Sequence, residues 1–213
     1  MTNSPRIGVL ALARETFDVP YAEELTAAAF GVLDGLDVEV TGSRSLLFDA
    51  PATEAAVAGL AGEELDLLVV MQVSFTDASM MQVVGSQIAA PIVLWGFPEP
   101  RLGGRLRLNA FCGINLAAYA LRKLGREYRY LYQSPLSEGI TAAVIDLLDA
   151  PNLAPGEHSI PDPAGMQPDV VERADALAAS LAGSRVAVIG DHPVGFDPCA
   201  YDPATVRRLT GVE

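Results

Sequence analysis

The chain has few of the residues that usually serve as metal ligands, nucleophiles or disulfide partners. Its 213 residues include two cysteines, two histidines, one tryptophan and one lysine, Lys123. Cys112 and Cys199 are too few and too far apart for the disulfide framework of a secreted protein, so we expect two reduced thiols. The single lysine argues against Schiff-base chemistry.

Positive charge is also scarce, with 14 basic residues against 27 acidic ones and a net charge of -13. Phosphate contacts need a basic stripe, so this balance argues against nucleic acid as a partner. No hydrophobic run approaches the ~20 residues of a membrane span, which argues against a membrane partner. The first residues, MTNSPRIGVLALAR, show neither a basic leader nor a cleavage pattern. We therefore expect a mature cytoplasmic protein.

Several catalytic and nucleotide-binding motifs are missing. The chain has no G-x-G-x-x-G after its first strand, no G-x-x-x-x-G-K-[ST], no G-x-S-x-G, no i, i+4 histidine pair and no C-x-x-C. His158 lies in a proline-rich stretch and is interpreted as a surface residue. A lone histidine such as His192, beside carboxylates, is more typical of a hydrogen-bonding residue than of a metal ligand. We predict no metal site within this chain.

Short apolar runs alternate with segments of helical periodicity up to residue 150. This rhythm indicates right-handed βαβ units and an α/β, doubly wound parallel sheet of the Rossmann or flavodoxin-like type. The predicted strands are 6–13, 37–42, 66–73, 91–97 and 128–133, and the predicted helices are 19–36, 53–65, 77–89, 109–125 and 138–150.

Composition changes after residue 150. Residues 1–150 are predicted to form one α/β domain, and residues 151–168 a proline-rich linker, because five prolines fall between positions 151 and 169. Residues 169–213 are expected to form a trailing helix–strand–helix, with RVAVIG (185–190) as the strand. This unit either extends the first sheet or begins a second α/β domain.

The loops that follow the predicted strands carry the candidate binding residues, since ligands of open parallel sheets bind outside the carboxyl ends of the strands. Aromatic faces beside hydroxyl, carboxylate and guanidinium groups are typical of a site for a polyhydroxylated molecule. The alternative is structural: each Asp can cap a helix, and each Phe can plug the end of the sheet. The candidates are Arg14, Thr16, Asp18, Phe75, Thr76, Trp95, Arg105 and Asn109, followed by His192, Phe196 and Asp197.

The segment WGFPEPRLGGRLRLNAFCGIN places three arginines beside two glycines, just before a predicted helix that starts at Asn109. One interpretation is an anion held at the helix start, where the helix dipole is favourable. The other is a set of salt bridges across a subunit contact. Both interpretations stay open at this stage.

Four segments together resemble the N-terminal portion of the L-fucose/L-arabinose isomerase-like family. They are ARETFDVPYAEE, DLLVVMQVSFTDASMM, PIVLWGFPEPRLGGRLRLNAFCGIN and VAVIGDHPVGFDPCAYD, and their order and spacing also match. The resemblance implies an oligomeric aldose–ketose isomerase with two N-terminal α/β domains and a C-terminal domain. It also implies Mn²⁺ in the complete enzyme, but the family's metal-ligating residues have no counterpart in this chain.

The resemblance implies substrate contacts from the first domain, which in this family closes over the active site of a neighbouring subunit. On that basis Arg14, Phe75, Thr76 and Trp95 are candidates to face a sugar, with Arg105 and Asn109 behind them. Phe75 lies where fucose isomerases carry a WCYG segment.

Three functions remain open from the sequence. The first is the N-terminal part of a sugar isomerase, completed by a C-terminal catalytic half or by further copies of the chain. The second is a stand-alone, non-catalytic sugar-binding or regulatory module. The third is a short enzyme that uses His192, Asp191 and Cys199.

Overall fold

A computed structural model describes residues 4–100, 103–149 and 167–213. The chain divides into two compact units, Met1–Pro155 and Gly156–Glu213. Most of the predicted linker, residues 151–166, lies outside the described residues.

The first unit alternates strands and helices as the sequence predicts. Its second predicted strand, 37–42, is shorter in the structure (39–41), and a short strand at 46–47 that was not predicted follows it. The elements are β1 (Arg6–Leu12), α1 (Val19–Asp34), β2 (Glu39–Thr41), β3 (Leu46–Leu47), α2 (Ala50–Leu60), β4 (Leu67–Gln72), α3 (Ala78–Gln87), β5 (Ile92–Gly96), α4 (Ala110–Lys123), β6 (Tyr128–Tyr132) and α5 (Ile140–Asp149).

The six strands form one sheet in the order β2-β1-β4-β5-β6, and every pairing is parallel. Both β2 and β3 pair with β1, the first along its start and the second along its end. Counted as one strand, they give the flavodoxin-like order, whose switch point lies between β1 and β4. The predicted doubly wound α/β fold is confirmed.

Helices cover both faces of this sheet. One buried cluster joins the sheet to α1 and α5, and the other joins it to α2, α3 and α4. The side chains of β4 and β5 are buried throughout, which explains why these strands read as unbroken apolar runs.

Aspartates begin three helices of the first unit. Asp18 accepts a hydrogen bond from the amide of Tyr21 at α1, Asp49 from Ala52 at α2, and Asp77 from Ser79 at α3. Each carboxylate satisfies an amide that the helix itself leaves unpaired. The structural interpretation of Asp18 and Asp77 as helix caps is therefore correct. If either residue also binds a ligand, it does so while capping its helix.

The second unit contains α6 (Pro168–Leu181), a short 3₁₀ helix (Asp197–Cys199) and α7 (Pro203–Thr210). The predicted strand over 185–190 is not formed as a regular strand. This segment finds only a short partner: Glu213 N–H donates to Ser184 O, and Val186 N–H donates to Glu213 O. Val186 and Ile189 are 66% and 98% exposed.

None of the helices described is long and apolar enough to cross a lipid bilayer.

Candidate functional site

Three loops meet where β1, β4 and β5 end, and we call this surface the strand-end platform. It comprises residues 13–18, 73–77 and 97–109, of which 101–102 lie outside the described residues. Backbone hydrogen bonds tie the loops together: Phe75 N–H donates to Leu108 O at 2.7 Å, and Asp18 N–H donates to Arg107 O at 3.0 Å. The platform is thus a built surface rather than three independent loops.

Arg14 lies at the centre of the platform, at the switch point of the sheet. Its amide donates to Ser74 Oγ, and its Nη2 donates to Asp77 Oδ2 at 3.0 Å. Its guanidinium carbon lies 5.4 Å from the centre of the Phe75 ring. The side chain is 37% exposed, so a planar group with several donors is held in place and still faces solvent.

Two aromatic rings accompany this guanidinium. The rings of Phe17 and Phe75 are 6.0 Å apart and tilted by 47°. Both residues are partly exposed, while the neighbouring Thr16 is exposed. An apolar ring face beside a hydroxyl and a guanidinium can contact both the C–H and the O–H groups of a sugar.

Arg107 fastens the loop after β5 to the start of α1. Its Nε donates to Asp18 Oδ2 at 2.7 Å, and its guanidinium carbon lies 3.8 Å from the centre of the Tyr21 ring. The hydrogen bond from Arg107 and the helix amide of Tyr21 together lower the pKa of Asp18, whereas burial raises the pKa of the Tyr21 hydroxyl. Arg107 is therefore paired within the chain and holds the platform together.

Arg105 has a different environment from Arg107. It follows Gly103 and Gly104, whose φ angles of 79° and 78° allow the sharp turn that carries the loop outward. The side chain of Arg105 is exposed. Among the described residues, no carboxylate or carbonyl oxygen accepts a hydrogen bond from it.

The start of α4 is already occupied by a carboxylate of this chain. Glu99 accepts hydrogen bonds from the amides of Arg107, Leu108 and Asn109, at 2.9, 2.9 and 2.5 Å. Asn109 holds the left-handed backbone, with φ 52°, that turns these amides toward Glu99. Glu99 thus takes the amides just before α4, and the interpretation of an external anion at the helix start stays a prediction.

Gln72 is a buried residue whose side-chain amide holds the loop after β4. Its Nε2 donates to Ser74 O at 2.7 Å and to Thr76 Oγ1 at 3.0 Å. Its Oε1 is buried without a protein partner among the described residues. A Cβ at Gly113 would lie 2.6 Å from this Nε2, so α4 packs closely against the Gln72 amide. Thr76 is itself 3% exposed, and its hydroxyl braces the loop.

Trp95 faces the core rather than the solvent. It is fully buried in the core with α1 and α5, its indole N–H donates to Gln133 O, and its ring packs against Phe97. Trp95 precedes the last residue of β5, where the layer of helices still covers the strand. Our expectation that Trp95 contacts the sugar is replaced by a role in packing.

Of the residues predicted in the second unit, His192 lines a cleft of about 360 Å³, whereas Phe196 and Asp197 are not among the residues that line it. His192 Nδ1 lies 2.9 Å from Asp191 Oδ1, and Cys199 and Tyr201 also line the cleft. Phe196 precedes the 3₁₀ helix that Asp197 begins. These contacts are local to the second unit.

Within the described ranges, no three His, Cys, Asp or Glu side chains lie close enough together to hold a metal ion. The platform carboxylates are also engaged, Asp18 by Arg107, Asp77 by Arg14, and Glu99 by three amides. The residues of the platform therefore do not fit the Mn²⁺ that the resemblance implies for the complete enzyme.

The platform is open rather than enclosed. A cleft of about 90 Å³ lies beside Arg14, lined by the ends of the loops after β1 and β4 and by residues 48–50 at the start of α2. Pockets that enclose a small molecule usually measure roughly 300–1,000 Å³. Two larger clefts of the first unit, about 490 and 630 Å³, lie elsewhere: one beside Phe30 and Arg44, the other beside Leu36 and Ile145. We favour the platform because it lies at the switch point and gathers polar and aromatic groups.

Two supporting residues, Gln72 and Glu99, escaped the sequence reasoning, whereas Arg107 was considered as one of the three arginines of its loop but was not among the candidate site residues. Gln72 left a signal, since it is the polar residue in the apolar run LLVVMQV. Glu99 left none, because only the folded loop brings it back to amides eight to ten residues later.

Comparison with known proteins identifies the family to which this chain is similar. Residues 8–150 match the family model described as fucose/sulfoquinovose isomerase, N-terminal domain. The chain is similar to the sulfoquinovose isomerase of Priestia aryabhattai, with 21% identity over 94% of the chain and 40% of that protein. It is similar to that of Alkalicoccus urumqiensis, with 24% identity over 96% of the chain and 40% of that protein.

The sulfoquinovose isomerase of Clostridium sp. (strain MSTE9) is 31% identical over a shorter region, 44% of the chain and 22% of that protein. The chain thus spans about 40% of the length of the first two relatives.

Proposed function

Because residues 8–150 place the chain in the fucose/sulfoquinovose isomerase family, as its N-terminal domain, we propose that it supplies one wall of a sugar isomerase's substrate site. That wall is the strand-end platform. Arg14, Phe75 and Thr16 provide the contacts, and Gln72, Glu99 and Arg107 hold them in position.

The observation that carries this proposal is the joining of three loops at the switch point of the sheet. The bonds from Phe75 to Leu108 and from Asp18 to Arg107 fix one guanidinium and two aromatic rings on a common surface. A cleft of about 90 Å³ is too small to enclose a hexose, so a second surface has to complete the site.

That second surface comes from the remainder of a longer protein or from another copy of the chain. The matched relatives are more than twice as long as this chain, which supports a division of labour. In this proposal the chain binds and orients the sugar in the cytoplasm. Residues outside it carry the metal and move the proton between C1 and C2 of the aldose.

Titration calorimetry of the 213-residue chain with L-fucose and with 6-deoxyglucose tests the proposal. One wall of a site should bind weakly, with Kd of about 1–10 mM. Phe75→Ala removes a ring face and should weaken binding by about three- to tenfold. Tyr130→Ala is the matched control, since Tyr130 is a 61% exposed aromatic residue of β6 outside the platform.

Two results would count against the proposal. If neither sugar binds at a concentration of about 50 mM, the platform is not part of a sugar-binding site. Isomerisation of either sugar by the purified chain with added Mn²⁺ would show that the catalytic groups lie within these residues after all.

A further inference from the structure

We propose that the open edge of β6 is a docking site for a partner protein, which adds an acidic segment in extended conformation to the sheet. β6 is the last strand in the order β2-β1-β4-β5-β6, and among the described strands it pairs with β5 alone. Its residues lie outside the strand-end platform, so this inference does not depend on the proposed function.

The backbone of β6 has one side that no described strand covers. Gln133, directly after β6, donates its N–H to Gly96 O in β5. Because the backbone groups of a strand point alternately to its two sides, those of Tyr128, Tyr130 and Tyr132 point to the open edge. Among the described residues, none accepts a hydrogen bond from the amides of these three tyrosines. The edge therefore presents a row of donors and acceptors to a further strand.

β6 has few of the features that usually protect an edge strand. Proteins blunt such edges with proline, with a bulge, or with charged side chains that project from the strand. The sequence of β6, YRYLY, contains no proline, and its one charged residue is Arg129. The Arg129 side chain is only 19% exposed, and it binds the carboxylate and the carbonyl of Asp146. Its charge therefore does not shield the edge.

Aromatic side chains flank this edge on the side of α4. Tyr128 and Tyr132 pack against the core cluster of α2, α3 and α4, and Tyr130 shares their face because alternate residues of a strand do. Tyr130 is 61% exposed, as is 55% of Phe111, whose ring centre lies 5.3 Å from that of Tyr132. Aromatic residues are enriched at protein interfaces, so this edge supplies side-chain contacts as well as backbone hydrogen bonds.

The charge of this surface favours an acidic partner. Residues 110–132 contain four basic residues and one acidic residue, Glu127, in a chain whose net charge is -13. Arg122 and Lys123 are exposed in the last turn of α4. Burial raises the pKa of the Tyr128 hydroxyl, and Arg122 lies close enough to oppose that rise. An acidic strand beside Tyr128 therefore meets positive charge, whereas two copies paired through β6 would bring like charges together.

Strand addition combines these features. The tyrosine backbone provides the hydrogen bonds that hold an extended segment, and the side chains at alternate positions provide the selectivity. β6 has only five residues, so the contact is small and the complex is transient. We expect a Kd of about 0.1–1 mM for a short peptide.

The probe is a six-residue peptide of alternating Glu and Val that is blocked at both ends. Amide chemical-shift mapping of the isotope-labelled 213-residue chain shows where it binds, and the shifts should centre on residues 128–132. A peptide of alternating Lys and Val should bind about tenfold more weakly or worse, because its charge is reversed. The Glu and Val peptide N-methylated at every residue should lose binding, because it cannot donate to the edge.

Three variants test the residues. Tyr130→Pro removes an amide that faces the open edge, where proline is tolerated in a sheet, and should weaken binding about tenfold or more. Arg122→Gln should weaken binding about threefold, and Glu127→Gln should strengthen it. Arg44→Gln is the control, because Arg44 is an exposed arginine just before β3, which pairs with β1 and not with β6. If Tyr130→Pro fails to fold, Arg122→Gln and the N-methylated peptide still test the inference.

Several results would overturn this inference. They are absence of binding, shifts centred away from β6, equal binding of the Glu and Lys peptides, and undiminished binding of the N-methylated peptide. Sedimentation of the chain alone tests the other occupant. Self-association that Tyr130→Pro abolishes would assign the edge to a second copy and overturn the acidic partner.

Discussion

Asp18 links helix formation to the shape of the platform, because one of its oxygens caps α1 and the other accepts from Arg107. Both partners of the ion pair are partly exposed, 39% for Arg107 and 33% for Asp18, so its contribution to stability should be small. The main effect of the pair should be to hold the loop after β5 in position, since Arg107 in that loop binds Asp18 in the loop after β1.

We expect Asp18→Asn to keep the helix cap and lose the ion pair. Arg107 lowers the pKa of Asp18 below 3.8 in the folded chain, so the pair stabilises the fold above that pH, and its contribution is lost as the pH falls through the lower folded pKa. Urea unfolding should therefore show a small loss at pH 7 that shrinks as the pH falls through the lowered pKa of Asp18.

Asp34→Asn is the matched control for this variant. Asp34 pairs with Arg44, which lowers its pKa in the same way, but the pair lies away from the platform. Both variants should show the same pH trend, and only Asp18→Asn should weaken sugar binding. A stability difference for Asp18→Asn of equal size at pH 7 and pH 2 would contradict the ion-pair explanation.

At the scale of the element, the end of α3 depends on a residue that lies far from it in sequence. Arg126 Nη1 donates to the carbonyls of Gly85 and Ile88, and its Nη2 donates to those of Ala89 and Ala90. One guanidinium thus satisfies carbonyl groups that a helix terminus leaves without partners.

We expect Arg126→Ala to lower the free energy of unfolding by about 1–3 kcal/mol, because several carbonyls lose a charged donor. Arg126→Lys should recover part of the loss, since an ammonium cannot span the same carbonyls. Arg122→Ala, an exposed neighbour on α4, should change stability by less than about 0.5 kcal/mol. Chemical denaturation measures all three, and equal effects of the two alanine variants would refute the capping role.

The interruption between β2 and β3 also has a specific cause. Gly42 has a φ of 114°, and a Cβ there would lie 2.4 Å from the carbonyl oxygen of Val9 in β1. The chain therefore passes too close to β1 for any side chain at this position.

Gly42→Ala should cost about 1–3 kcal/mol of stability, since it combines a strained backbone with a backbone overlap. Gly31→Ala is the matched control, because Gly31 lies in α1 with open space around its Cβ position. That change should stabilise the chain by about 0.5–1 kcal/mol. Thermal unfolding should move in opposite directions for the two variants, and a shift in the same direction would contradict this account.

At the scale of the whole molecule, the sequence predicts the strands better than the loops. The runs that became β1, β4 and β5 are apolar because helices cover both faces of the sheet, and that pattern is visible in one dimension. The trailing run 185–190 looks similar, yet it forms no regular strand, and its valine and isoleucine side chains are exposed.

The candidate site was predictable only in outline. Arg14 and Phe75 follow from their place after β1 and β4, since the switch-point rule needs only strand order. The burial of Trp95 could not be predicted in the same way. Sequence locates the end of a strand only to within a few residues, and a shift of one or two residues decides whether a side chain there is buried or exposed. The bonds from Glu99 and Arg107 depend on how a loop folds back, which sequence spacing does not encode.

The central claim is that a sugar binds on the strand-end platform and not in the larger clefts of the first unit. Amide chemical-shift mapping of the isotope-labelled chain during titration with sulfoquinovose tests it most directly. The account predicts shifts concentrated at residues 14–17, 74–77 and 103–109. Shifts centred on Phe30 and Arg44, or on Leu36 and Ile145, would place the ligand in another cleft and contradict the account.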